Sequence, residues 1–190
     1  MRPVLRSQSV QFKEKPLTRQ ITIIACELLA MASLAAAQST TNLSVVVPAE
    51  ASLTVTTGTT SLATAGSNFS APYTGTTSFT YQVRTTKTGG TGTISAKVTT
   101  DFPAGGPSVT TPPTTGDALT YTCTVSSPGT GCSGSVTAST TATTSVATFG
   151  AGAKSTKAGN TGSLAWSLTD DPVYDTGTYT ATVTFTVSAT

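Results

Sequence analysis

The sequence predicts an all-β chain built as an antiparallel sandwich, and three observations carry that expectation. The stretch Gly177 to Ala189 alternates without a slip, with Tyr179, Ala181, Val183, Phe185 and Val187 set against Thr178, Thr180, Thr182, Thr184 and Thr186. A side-chain period of two belongs to a strand with one dry face and one wet face, whereas a helix would smear those residues around its circumference. The same alternation recurs along most of the chain after Ala37, where no helical periodicity of useful length occurs. Threonine also supplies roughly a quarter of the residues from Gln38 onward, and it suits a pleated, half-exposed surface.

The N-terminal segment stands apart. Arg2, Arg6, Lys13, Lys15 and Arg19 precede an apolar run from Ile21 to Ala37, which ends in Ala35-Ala36-Ala37 before Gln38. A basic region, a short apolar core and an A-x-A site read as a secretory signal peptide over residues 1–37, leaving 38–190 as a single domain. An alternative is a lipoprotein box at Ile23-Ile24-Ala25-Cys26. The apolar run is too short for a convincing span, so no membrane span is expected after cleavage. Without the leader, five basic residues face six acids, and the pI of 8.5 is a property of the leader. No basic surface then remains for nucleic acid. The expected location is secreted or at the cell surface, by way of the periplasm if the source is bacterial.

Leu43, Val45 and Val47 alternate up to Pro48, and Leu53 and Val55 resume the pattern. Leu43 to Val55 reads either as a first strand kinked at Pro48 or as a strand donated to a neighbour. Thr57 to Tyr73 is weakly patterned, a loop with a short strand near Leu62. Phe79, Tyr81 and Val83 line one face of the next strand. Lys87-Thr88-Gly89-Gly90 turns the chain, and Ile94, Ala96 and Val98 are expected to return it as the second arm of a hairpin. Asp101 to Asp117 is rich in Pro and Gly and reads as a long surface loop.

Leu119, Tyr121, Cys123 and Val125 form another inward row. In an exported chain Cys123 and Cys132 read as a disulfide, and Ser127-Pro128-Gly129 between them suggests a stapled hairpin. Further strands are expected near Val136 and over Val146 to Phe149. Gly150 to Gly162 reads as a loop, and Ala153 stands where a phosphate loop needs glycine before its lysine. Leu164, Trp166 and Leu168 alternate, with Trp166 expected in the core, and Asp170-Asp171-Pro172 breaks the run before the closing strand. About eight or nine short strands at this spacing argue for a Greek-key, Ig-like sandwich, with a small closed barrel as the alternative.

Reactive chemistry is scarce. The chain has no histidine, so neither a Ser-His-Asp nor a Cys-His arrangement can be built. Asp101, Asp117, Asp170, Asp171 and Asp175 read as turn and loop residues, and no catalytic residue or cofactor is expected. Asp170, Asp171 and Asp175 form an oxygen-only calcium candidate, set against a Pro-broken connection capped by aspartates. Threonine rows facing outward suggest a surface for glycan or ice.

The terminal GTYTATVTFTV and the early LSVVVPAEASLTV resemble the closing and N-terminal segments of secreted spore-coat-U-like and chaperone–usher pilin-like subunits. That resemblance implies a β-sandwich in which the N-terminal strand of one subunit completes the next, with Leu43, Val45 and Val47 as donor residues. Tyr179, Val183, Phe185 and Val187 would be the core of the closing strand. Trp166-Ser167-Leu168 is similar, more faintly, to part of the Trp-x-Leu cell-wall-binding domains. The functional expectation is an exported, non-catalytic surface or appendage subunit that self-associates. The alternative is an extracellular module for glycan or ice.

Overall fold

The computed structural model describes residues 40–190, so the leader expected over 1–37, Cys26 included, lies outside the described residues. The chain divides into the units Met1–Val45 and Val46–Thr190. The described part of the first, residues 40–45, is exposed and carries no secondary structure. All ten strands belong to the second: β1 Glu50–Val55, β2 Ala63–Thr64, β3 Tyr73–Arg84, β4 Gly92–Thr100, β5 Thr120–Val125, β6 Thr130–Gly131, β7 Val136–Thr137, β8 Thr144–Phe149, β9 Asn160–Leu168 and β10 Thr182–Ala189. Among the described residues no helix is long and apolar enough to cross a membrane.

The strands form two antiparallel sheets packed as a sandwich. One runs β1-β3-β9-β5-β7 with β2 also on β3, and the other runs β10-β4-β8-β6. The period of two sends Phe79, Tyr81 and Val83 of β3, Tyr121 of β5 and Leu164, Trp166 and Leu168 of β9 inward from the first sheet. Ile94, Ala96 and Val98 of β4 and Val146, Ala147 and Phe149 of β8 meet them from the second. Val146 and Ala147 are consecutive yet both buried because the β4–β8 register slips between Ile94 and Ser95, where one extra residue bulges.

Between the sheets, the polar atoms of Trp166, Tyr81 and Tyr121 are matched, as a low-dielectric interior demands. The Trp166 indole N–H donates to Thr77 Oγ1 at 2.8 Å, and that hydroxyl lies 2.6 Å from Thr60 Oγ1. Tyr81 donates its hydroxyl to Ser126 O and accepts the Gly129 N–H at 3.1 Å. The Tyr121 hydroxyl lies 2.7 Å from Thr144 Oγ1, and its ring meets Trp166 edge-on at 5.1 Å.

Three expectations change. The rows Phe79–Val83 and Ile94–Val98 are not two arms of a hairpin, because β3 and β4 lie in different sheets. Their connection pairs instead with the 150–153 turn, Thr85 N–H to Ala153 O at 3.0 Å and Gly152 N–H to Thr86 O at 2.8 Å. Alternation aims both rows at one core whether they share a sheet or face each other across it. Likewise Cys123 and Cys132, at bonding distance with Cα atoms 5.4 Å apart, join β5 of one sheet to the end of β6 in the other. They staple the two layers at one side of the sandwich, not a hairpin. The first strand begins at Glu50, so Leu43, Val45 and Val47 belong to no strand.

Candidate functional site

The two sides of the sandwich differ. At one, β7 and β6 end their sheets and the Cys123–Cys132 bridge ties the layers together. At the other, β1 and β10 end theirs, and the core between them is only partly covered. Val183, Phe185 and Val187 alternate inward as expected, yet all three are half-buried, and Phe185 touches the core through Phe79 with ring centroids 6.1 Å apart. Across from them Ala51 and Leu53 are half-buried and Val55 is 36 % exposed. Side chains at equivalent positions of β4 and β9 are fully enclosed.

Among the described residues no strand pairs with the outer edge of β10. Exposed edges are normally blunted by charge, proline or bulges, because a row of free backbone groups templates further pairing. Over its eight residues, TVTFTVSA, β10 has neither charge nor proline, and its one irregularity lies at the Thr182/Val183 start. The β1 edge has one acid, Glu50, which pairs with Arg84 at 3.0 Å. Arg84 also donates through Nε to Pro48 O at 2.8 Å, fixing the chain where it enters β1. Ahead of that clamp, Leu43 is 96 % exposed, Val45 83 % and Val47 59 %.

Tyr179 is not part of the closing strand's core. Pairing with β4 begins at Thr182, and Tyr179 sits in the preceding loop with its hydroxyl 2.8 Å from Asp175 O and 3.1 Å from Gly105 O. Its ring covers Gly106, where a Cβ would come within 2.4 Å of it, so it latches loop to loop.

The calcium candidate comes apart. Asp170 faces the Tyr73 hydroxyl, whose pKa its hydrogen bond raises; Asp175 lies against Gly105. Asp171 accepts the Thr114 hydroxyl and, at 2.9 Å, the Val173 N–H. Three aspartates near in sequence thus serve three different partners, and among the described residues no group of three or more His, Cys, Asp or Glu is placed to hold a metal ion. Asp101 organises its own loop. Burial pushes its carboxyl up, but hydrogen bonds from Val109 N, Thr110 N, Ser108 Oγ and Phe102 N outweigh that and hold it down to about 2.

The outer face of the larger sheet bears hydroxyls in register. Thr74, Ser167 and Thr120 lie side by side across β3, β9 and β5, as do Ser78, Ser163 and Thr124. A shallow trough of about 330 Å³ crosses this face over Ala165 and Gly75. The large rings beneath, Trp166 and Tyr121, are buried, so no aromatic platform faces a ligand there.

Comparison with protein-family models, with characterised proteins and with solved structures yields no match.

Proposed function

We propose that this chain is an exported, non-catalytic structural subunit of a surface coat or appendage, assembled by strand addition between copies. One observation carries the reading. An eight-residue edge strand with alternating, half-covered apolar side chains occurs in the same chain as an exposed apolar segment, Leu43 to Val47, that belongs to no strand of its own. Backbone groups on the β10 edge supply affinity, and every second side chain of the incoming segment fills the partly open seam. The disulfide at the opposite side of the sandwich suits an oxidising compartment and braces the layers against the pull of assembly.

The test is truncation. The processed chain, beginning at Gln38, should form polymers by size-exclusion chromatography with light scattering. A chain beginning at Ala49 should be a folded monomer of unchanged circular dichroism. A stable monomer that retains Leu43 to Val47 would refute the reading.

The in-register hydroxyl face favours a second reading, an extracellular module for glycan or ice. Retention on insoluble polysaccharide, or adsorption to growing ice, lost when Thr76 and Thr122 become lysine, would support it over assembly.

A further inference from the structure

Two long connections meet at one end of the sandwich, residues 101–119 between β4 and β5 and residues 169–181 between β9 and β10. Each brings a carboxyl group to the same enclosed spot. Asp117 is 9 % exposed and Asp171 8 %, and they are the buried acids among the described residues. The two side chains are within hydrogen-bonding reach of each other. Both oxygens of Asp171 already have donors, the Val173 N–H on Oδ1 and the Thr114 hydroxyl on Oδ2. Thr114 also accepts the backbone N–H of Asp117 at 3.1 Å, which fixes the second carboxyl beside the first. Among the described residues Asp117 Oδ2 finds no hydrogen-bond partner.

Among the described residues the surroundings offer no countercharge. Asp170 and Tyr174 from the second connection and Tyr73 from β3 complete the cluster, and the Tyr174 hydroxyl is likewise without a partner. None of the basic side chains Arg84, Lys87, Lys97, Lys154 and Lys157 acts on either carboxyl. Two ionised carboxylates in such a place would suffer both lost hydration and mutual repulsion. A proton between them removes the repulsion and gives the unpartnered Asp117 oxygen a bond to make.

We propose that Asp117 and Asp171 share one proton, and that this acid–carboxylate pair is a pH-sensitive latch holding the two connections together. Asp171 is the ionised member, since an N–H and an O–H favour its charged form; Asp117 is the donor.

The directions of titration agree with that assignment. Burial and then the contact with Asp171 raise the Asp117 carboxyl, while the Thr114 hydroxyl and the Val173 N–H lower that of Asp171. A group whose folded value is raised stabilises fully below its unfolded value, and that stabilisation is lost as pH rises through the folded value. Asp171 behaves oppositely, and its contribution is lost as pH falls through its own lowered value. The latch is therefore closed in the mildly acidic window between the two and opens as the pH climbs.

The test compares the intact chain with Asp117→Asn, whose amide still donates to Asp171 but has no proton to lose. Carboxyl carbon NMR should show Asp117 titrating above the ordinary carboxylate range. Amide exchange at Val173 and Tyr174, the latter bonded to Asp171 O at 3.1 Å, should match between the two proteins at about pH 4. Between the ordinary carboxylate value and the titration of Asp117, protection in the intact chain should fall relative to the variant by up to about tenfold per pH unit, and level off above it. A constant ratio, or an Asp117 carboxyl titrating at or below the ordinary range, overturns the proposal. So does calcium restoring protection at high pH in the intact chain but not in the variant, which would put a metal ion where the proton is placed. If Asp117→Asn fails to fold, the carboxyl titration of the unmodified chain decides alone.

Discussion

Thr77→Val removes a single buried acceptor while keeping the volume of the side chain. Thr77 points inward from β3 opposite Leu164, and its Oγ1 takes the Trp166 indole N–H at 2.8 Å. Valine has the same shape, so no cavity opens and the cost is that of a buried indole N–H left without a partner, about 1–3 kcal/mol. Thr60, which shares the hydroxyl at 2.6 Å, is only part-buried and can turn to water, so its contribution is small. The expected loss is about 2 kcal/mol in urea unfolding followed by far-UV circular dichroism. Thr77→Ser keeps the acceptor and should lose only the methyl, about 1 kcal/mol. The decisive arm is the double mutant. With Trp166→Phe the donor is gone, and Thr77→Val should then cost less than about 0.5 kcal/mol relative to Trp166→Phe alone. An equal cost in both backgrounds would refute the hydrogen bond as the origin of the effect.

Other perturbations probe the same framework. Gly162→Ala should destabilise by about 2–3 kcal/mol in urea titration, because the new Cβ would lie 2.3 Å from Cζ of the buried Phe79 ring. Cys123→Ser with Cys132→Ser should cost on the order of 2–3 kcal/mol by chain entropy, read as a lower urea midpoint. Asp101→Asn should remove part of the loss of stability in acid. The Asp101 carboxyl is held down to about 2, so its contribution is present above its ordinary value and disappears as pH falls toward 2. Melting temperatures from pH 5 down to about pH 2 check this: the intact chain should lose more than the variant.

How much of this was legible beforehand follows from what alternation encodes. The inward rows at Phe79–Val83, Ile94–Val98, Leu119–Tyr121 and Leu164–Leu168 are buried as their period indicated, because face selection is a local property of the strand. Sheet membership is not local, and for that reason the expected β3–β4 hairpin proved to be a crossing between layers. The cysteine pair was legible from its even count and close spacing, but its place between β5 and β6 was not. Tyr179 matched the alternating pattern and still fell outside β10, since its hydroxyl finds Gly105 O and Asp175 O before the ladder begins. The Asp117–Asp171 contact leaves no trace in the sequence, because it depends on how two distant connections fold over one end of the sandwich.

Amide exchange along β10, measured in the dilute monomer and in assembled material, tests assembly by strand addition most directly. In the monomer, amides aimed at β4 should be protected while the alternate, outward set exchanges freely. In the assembly the outward set should become protected, and Val45→Asp together with Val47→Asp should abolish that gain. Outward amides that stay fast in polymers, or that are already slow in the monomer, would contradict the role assigned to this edge.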